Sequence, residues 1–257
     1  MPVAKVNGIK INYRVEGKGQ PLVLISGASS TLRLWKPQVE PFTAHFKLIR
    51  FDNRGAGKSD KPEGSYSTRE MAEDTIGLMD YLGIDKAIIL GTSIGGMIAQ
   101  EIAINYPQRV IRLLLCSTCA CQDNENGFTV ENAELQGLPS LRRLRGVLYL
   151  CFNSSLRSLF QFIRTCLALN KAKVRGMKEQ YDASANHNSL DRLHLIKTPT
   201  LVVVGTNDRL VRPSSSEVLA TKIPQAKLVK VANGSHKMNL EMSNAFNTEV
   251  LNFLGIA

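Results

Sequence analysis

Gly91-Thr92-Ser93-Ile94-Gly95 lies between a short apolar run, Ala87 to Leu90, and a helical pattern carried by Ile98, Ile102, Ala103 and Tyr106 and ended by Pro107. A strand that becomes a helix over so few residues must bend sharply. Side chains beside the bend would strike the neighbouring strand, so small residues are needed there, and Gly91, Gly95 and Gly96 meet that need. The turn aims the Ser93 hydroxyl away from the sheet, and the following helix offers its N-terminal amides to negative charge nearby. A turn kept only for helix packing would look the same locally. It would place no demand on the rest of the chain.

The rest of the chain alternates between strand and helix patterns. Ile9, Ile11, Tyr13 and Val15 alternate with Lys10, Asn12 and Arg14 on the other face after Asn7-Gly8, which predicts an antiparallel hairpin. Leu22 to Ile25 and Leu48 to Phe51 are continuous apolar runs, as expected of strands covered on both faces. Ser67 and Glu70 form a capping box, and Met71, Leu78, Met79 and Leu82 follow at helical spacing up to Gly83. Val110 to Cys116 reads as a further strand. The alternation resumes only at Thr200 to Val204, continues through Leu219 and the strand Leu228 to Val231, and ends in a helix near Asn239 to Leu254. This order predicts an α/β fold with a mostly parallel sheet and helices on both faces. Residues 1–121 and 196–257 form its core, and residues 122–195 read as an inserted helical cap over the C-terminal strand edge, where ligands bind in such sheets.

Two later residues extend the serine motif. Val202-Val203-Val204-Gly205-Thr206-Asn207-Asp208 places a carboxylate in the loop after one strand, and Gly234-Ser235-His236 places an imidazole after the last one. Serine is a poor nucleophile at its free pKa, so it needs a base, and the base needs a third group to fix its tautomer. His236 and Asp208 suit these roles. His45, His187 and His194 fall at a helix end or within the insertion, where surface or structural roles are expected, and Asp182, Asp191 and Glu217 do not directly follow a central strand.

With these residues in view, the chain resembles the α/β-hydrolase superfamily over about residues 3 to 121 and 196 to 257. Asp52-Asn53-Arg54-Gly55-Ala56-Gly57-Lys58-Ser59 resembles the family's D-x-R-G-x-G-x-S turn, and Pro199 to Gly205 with Asp208 resembles the strand that delivers its acid. The resemblance implies Ser93 as nucleophile, Asp208 as acid and His236 as base, in the chain order found on this fold. It also implies an oxyanion hole made by the backbone N–H groups of Ile94 and Ala28. The loop bearing Ala28 reads Ser26-Gly27-Ala28 where the family most often has His-Gly. Hydrolysis of a small to medium carboxylic ester through an acyl-enzyme is the expected activity. Lactone opening, C–C bond hydrolysis and cofactor-free perhydrolysis would use the same three residues, and a ligand-binding protein without turnover is the reading from a different class.

The bulk properties narrow the partners. A chain of 257 residues with 44% apolar and 21% charged residues is an ordinary globule. No apolar run approaches the roughly 20 residues that span a bilayer. The start of the chain does not read as a secretory leader, which leaves a cytoplasmic location as the expectation. Of five cysteines, Cys116 and Cys119 form a lone C-x-x-C, expected to be buried thiols, so neither a metal nor a cofactor is expected. Gly55 to Ser59 resembles the tail of a phosphate-binding loop, but Asp52 stands where that loop needs glycine. The net charge of +10 is concentrated between residues 138 and 178, where nine Lys and Arg occur without any Asp or Glu. Leu141, Leu144, Val147 and Leu148, then Leu156, Leu159, Phe160, Ile163 and Leu167, recur there at helical steps. Phe160 and Phe162 are the candidate substrate contacts, and the basic residues occupy the outer faces. An acidic substrate or an anionic membrane surface could meet those faces, whereas no nucleic-acid reader motif is present.

Overall fold

The computed structural model describes residues 2–122, 150–151 and 171–256, with backbone alone for 171–174. Among them eight strands, β1 (Val3–Val6), β2 (Ile9–Glu16), β3 (Gln20–Ile25), β4 (Phe46–Phe51), β5 (Ala87–Thr92), β6 (Val110–Cys116), β7 (Thr200–Gly205) and β8 (Ala226–Val231), form one sheet. Its order is β1-β2-β4-β3-β5-β6-β7-β8. The first two strands pair antiparallel to their neighbours, and every pairing from β4 onward is parallel. The hairpin turns where expected, with Asn7 and Gly8 at φ 47° and 77°, the double positive φ that a two-residue turn demands.

Seven helices belong to the described residues: α1 (Lys36–Thr43), α2 (Thr68–Tyr81), α3 (Ile94–Asn105), α4 (Lys171–Ala185), α5 (Pro213–Lys222), α6 (Met238–Glu241) and α7 (Ser243–Leu254). They cover both faces, because side chains alternate along each buried strand. Val23 and Ile25 join Met71, Ile98 and Ile102 on one face, while Leu22 and Leu24 join Trp35, Phe42 and Phe246 on the other. The capping box forms, Ser67 Oγ accepting from the Glu70 N–H at 3.0 Å.

Three details depart from the expected pattern. Asn12 is buried although Lys10 and Arg14 on its face are exposed: its Nδ2 donates to Asp52 Oδ2 at 2.7 Å and its N–H to Ser59 Oγ at 2.9 Å. The C-terminal helix is two helices, broken at Met242 with φ −122° and ψ 45°. Helix α1 has no sequence counterpart above, since Pro37 and Pro41 obscure its periodicity. Of residues 122–195, α4 and the 3-10 turn Leu190–Leu195 are described in the main, and Ala183 and Leu193 pack into the α3 side of the core. Phe160 and Phe162 lie outside the described residues, as does most of the segment assigned to the cap. No helix among the described residues is long and apolar enough to cross a membrane.

Candidate active site

Ser93 occupies the single-residue corner between β5 and α3 and has φ 56° and ψ −126°, a conformation that L-residues rarely adopt. The corner is held from both sides. The Ser93 N–H donates to Cys116 O at 2.9 Å, and Thr118 Oγ1 donates to Ser93 O at 2.7 Å. A methyl group on Gly91 would lie 2.0 Å from Gly95 O, and one on Gly95 would lie 2.2 Å from Ile25 O. Only glycine fits at either place, so the small residues flanking the serine are a steric requirement of this bend.

Asp208 and His236 meet beyond the C-terminal ends of β7 and β8. His236 Nδ1 lies 2.9 and 3.1 Å from the two Asp208 oxygens, and both side chains are buried. Asp208 Oδ1 also accepts from the N–H groups of Leu210 and Val211 at 3.0 and 2.9 Å, so the carboxylate is fixed before it meets the ring. The proton therefore belongs on Nδ1, which leaves the lone pair on Nε2. Among the described residues no hydrogen bond joins Ser93 Oγ to His236. Such contacts are commonly loose without substrate and tighten when it binds. Two of the other carboxylates are engaged elsewhere: Asp182 pairs with Lys178 and Glu217 with Lys230, all well exposed.

The N–H groups of Ala28 and Ile94 have no acceptor among the described residues. The loop carrying Ala28 is braced on three sides. Asn53 Nδ2 donates to Ser26 O at 2.9 Å, Ser30 N–H donates to Gly27 O at 3.2 Å, and Ser29 N–H donates to Gln180 Oε1 at 2.8 Å. Ser29 itself sits at φ 60°. Gln180, fully buried on α4, uses its other end to donate to Arg54 O at 2.7 Å.

The Asp52 turn has a structural role. Its carboxylate accepts from Asn12 Nδ2, from Lys58 N–H at 2.9 Å and from Leu32 N–H at 2.7 Å. The loop that resembles a phosphate cradle is thus filled by its own anion. Arg54 pairs with Asp74 and Glu70 beneath it.

Cys116, Cys119, Cys121 and Cys151 are buried. Burial pushes Cys116 up to about 12 and Cys151 up to about 11, so both remain protonated and behave as apolar groups. Among the described residues no group of His, Cys, Asp or Glu is arranged to hold a metal ion.

Three further features carry no sequence signal: Gln180, the lysine after His236, and a buried network in which Arg192 pairs with both Glu101 oxygens at 3.0 and 2.6 Å beside His187. His187 Nδ1 lies 2.9 Å from Thr68 Oγ1, and burial lowers its pKa to about 4, so the ring is neutral near pH 7. None of these contacts has a spacing that could be read along the chain, since each joins distant segments.

A parallel sheet with a strained serine at one strand end, and an anchored Asp and His pair at two others, defines a hydrolase-type α/β architecture. A sequence model of the alpha/beta hydrolase fold matches residues 20–169 and 161–242, and the chain belongs to that family. It is 28% identical to the putative carbamate hydrolase RutD of Azorhizobium caulinodans, over 99% of this chain and 98% of that protein. The solved enol-lactonase of Burkholderia xenovorans LB400 superposes with a TM-score of 0.88 at 28% identity, covering 99% of this chain and 100% of that one. A meta-cleavage product hydrolase from Pseudomonas fluorescens IP01 follows at a TM-score of 0.87 and 26% identity, covering 99% and 97%.

Proposed function

We propose that the protein is a serine hydrolase that cleaves carboxylic esters, with Ser93 as nucleophile, His236 as general base and Asp208 as the group that orients it. The observation that carries this reading is the Asp208 carboxylate held on His236 Nδ1 at 2.9 Å, which leaves Nε2 basic on the strand edge that also bears Ser93. In the first step Ser93 Oγ bonds to the carbonyl carbon while its proton passes to His236 Nε2. The oxyanion so formed accepts hydrogen bonds from the Ala28 and Ile94 N–H groups, each worth about 3 kcal/mol in a dry preorganised site. Collapse breaks the C–O bond, and His236 protonates the leaving alcohol. Water then attacks the acyl-enzyme by the same proton relay, releasing the acid and restoring Ser93.

On this reading, alanine at Phe160 or Phe162 shifts the preferred chain length while Ser93 stays reactive. The chemistry requires no cofactor, and the buried cysteines suit a reducing, cytoplasmic setting.

A second reading, opening of a cyclic ester, is favoured by the full-length likeness to the Burkholderia enol-lactonase. It uses the same steps with the leaving alcohol tethered to the acyl group. One experiment tests the shared chemistry and separates the two substrates: fluorophosphonate treatment followed by peptide mapping, alongside a graded panel of esters and lactones with Ser93→Ala as control. Stoichiometric label on Ser93 with turnover lost in the variant is expected. Label on another serine, or turnover undiminished in Ser93→Ala, would overturn the assignment.

A further inference from the structure

Lys237 follows His236 directly and is half-buried. A methyl group placed on Gly27 would have the Lys237 Nζ at 3.6 Å and Ser93 Cβ at 3.2 Å. The ammonium therefore stands beside the nucleophile and beside the loop that carries Ala28. Its backbone is fixed there, the Lys237 N–H donating to Cys151 O at 3.1 Å and to Ser235 Oγ at 3.2 Å.

Among the described residues this ammonium has no hydrogen-bond or ion-pair partner. The anions nearby are committed. Asp208 holds His236 and two backbone N–H groups, and Glu241 accepts from the Ser235 hydroxyl. Cys116 and Cys151 feel the Lys237 charge, but burial keeps both thiols neutral, so neither serves as a counter-ion. A carboxylate on a bound substrate would meet this ammonium close to Ser93, and such a charge-assisted pair is stronger than a neutral hydrogen bond.

We infer that the substrate is an ester bearing a carboxylate a short chain away from the scissile carbonyl, and that the Lys237 ammonium pairs with that carboxylate while Ser93 attacks. This rests on the serine-hydrolase reading above. The bonds made and broken are the same: Ser93 Oγ to carbonyl carbon forms, the ester C–O breaks, and the Ser93 proton leaves on the alcohol through His236. The carboxylate and the ammonium keep their charges throughout, so their pairing sets binding and orientation. The net charge of +10 adds long-range attraction for such a substrate.

The test compares p-nitrophenyl hydrogen glutarate with p-nitrophenyl hexanoate on wild type, Lys237→Met and Lys237→Arg, with fluorophosphonate labelling of Ser93 in each. Wild type favours the charged ester. Lys237→Met lowers the ratio of kcat/KM, charged over neutral, about ten- to a hundredfold, mostly through KM, and Lys237→Arg restores most of the ratio. An unchanged ratio in Lys237→Met, with Ser93 labelled and both esters cleaved, overturns this inference and leaves the hydrolase reading standing. Equal losses on both esters also overturn it, because the lysine would then act on the reacting centre or the fold. If no ester is cleaved and Ser93 takes no label, the hydrolase reading falls and this one with it.

Discussion

Gln180 accepts a hydrogen bond from the Ser29 N–H at 2.8 Å, tying helix α4 to the loop that presents the Ala28 amide. The same side chain donates to Arg54 O, so one buried amide spans α4, the loop bearing Ala28 and the Asp52 turn. Gln180→Leu leaves the Ser29 N–H and the Arg54 carbonyl unpaired in the interior. The loop then loses its brace at the residue next to Ala28. The expected result is a fall in kcat of roughly tenfold or more with KM little changed, and a matching fall in the rate of Ser93 labelling. Full activity in that variant would mean that the loop holds its shape through Asn53 and the Ser30 to Gly27 hydrogen bond.

Asp208→Asn keeps the size of the side chain but cannot stabilise a charged imidazolium, and its amide favours the wrong tautomer of His236. A loss in kcat of up to about ten-thousandfold is expected with an unchanged thermal midpoint. Near-normal turnover would point to another carboxylate as the third group.

Gly91→Ala adds a methyl group that would lie 2.0 Å from Gly95 O, a backbone atom with no freedom to retreat. Either the bend at Ser93 opens or the fold is lost. A drop in stability of several kcal/mol, or failure to accumulate folded protein, is expected in thermal and denaturant unfolding. A variant that retained both wild-type stability and Ser93 labelling would contradict the geometry of the corner.

Stability should fall as the solution is acidified below neutrality, because His187 is buried in its neutral form. Its folded pKa is lowered from 6.5 to about 4, with burial as the main cause, so between those values the unfolded chain binds the proton and the folded chain does not. Stability therefore rises with pH across that window and is lost on going down, by about 2 kcal/mol at pH 5. Glu101 adds a loss of the same sign. Burial raises its pKa, but the Arg192 pair outweighs that and leaves it lowered, so its contribution vanishes as pH falls through the folded value. Denaturant titrations from pH 7.5 to 5 on wild type and His187→Gln should show a flatter dependence in the variant, and identical slopes would assign the effect to other groups.

Much of the strand program was legible because it is local. Alternating or continuous apolar runs mark β2, β3 and β6, and glycine at Gly91 and Gly95 marks a bend that no other residue permits. The order of Ser93, Asp208 and His236 could be read for the same reason, since each follows a recognisable strand by a few residues. The contact between Asp208 and His236 then follows from neighbouring parallel strands ending at one edge. Alternation along β2 does not distinguish buried Asn12 from exposed Lys10 and Arg14; the Asp52 carboxylate draws it in.

The sequence by itself determined the sheet and the bend, because those depend on backbone sterics and on side chains a few residues apart. Tertiary structure alone decided that Gln180 braces a loop 151 residues earlier, that Arg192 meets Glu101 beside His187, and that the Lys237 ammonium stands next to Gly27 and Ser93. These depend on which distant surfaces pack together and on which charges are left without a partner once they do. A pattern read along one chain carries no distance between such segments.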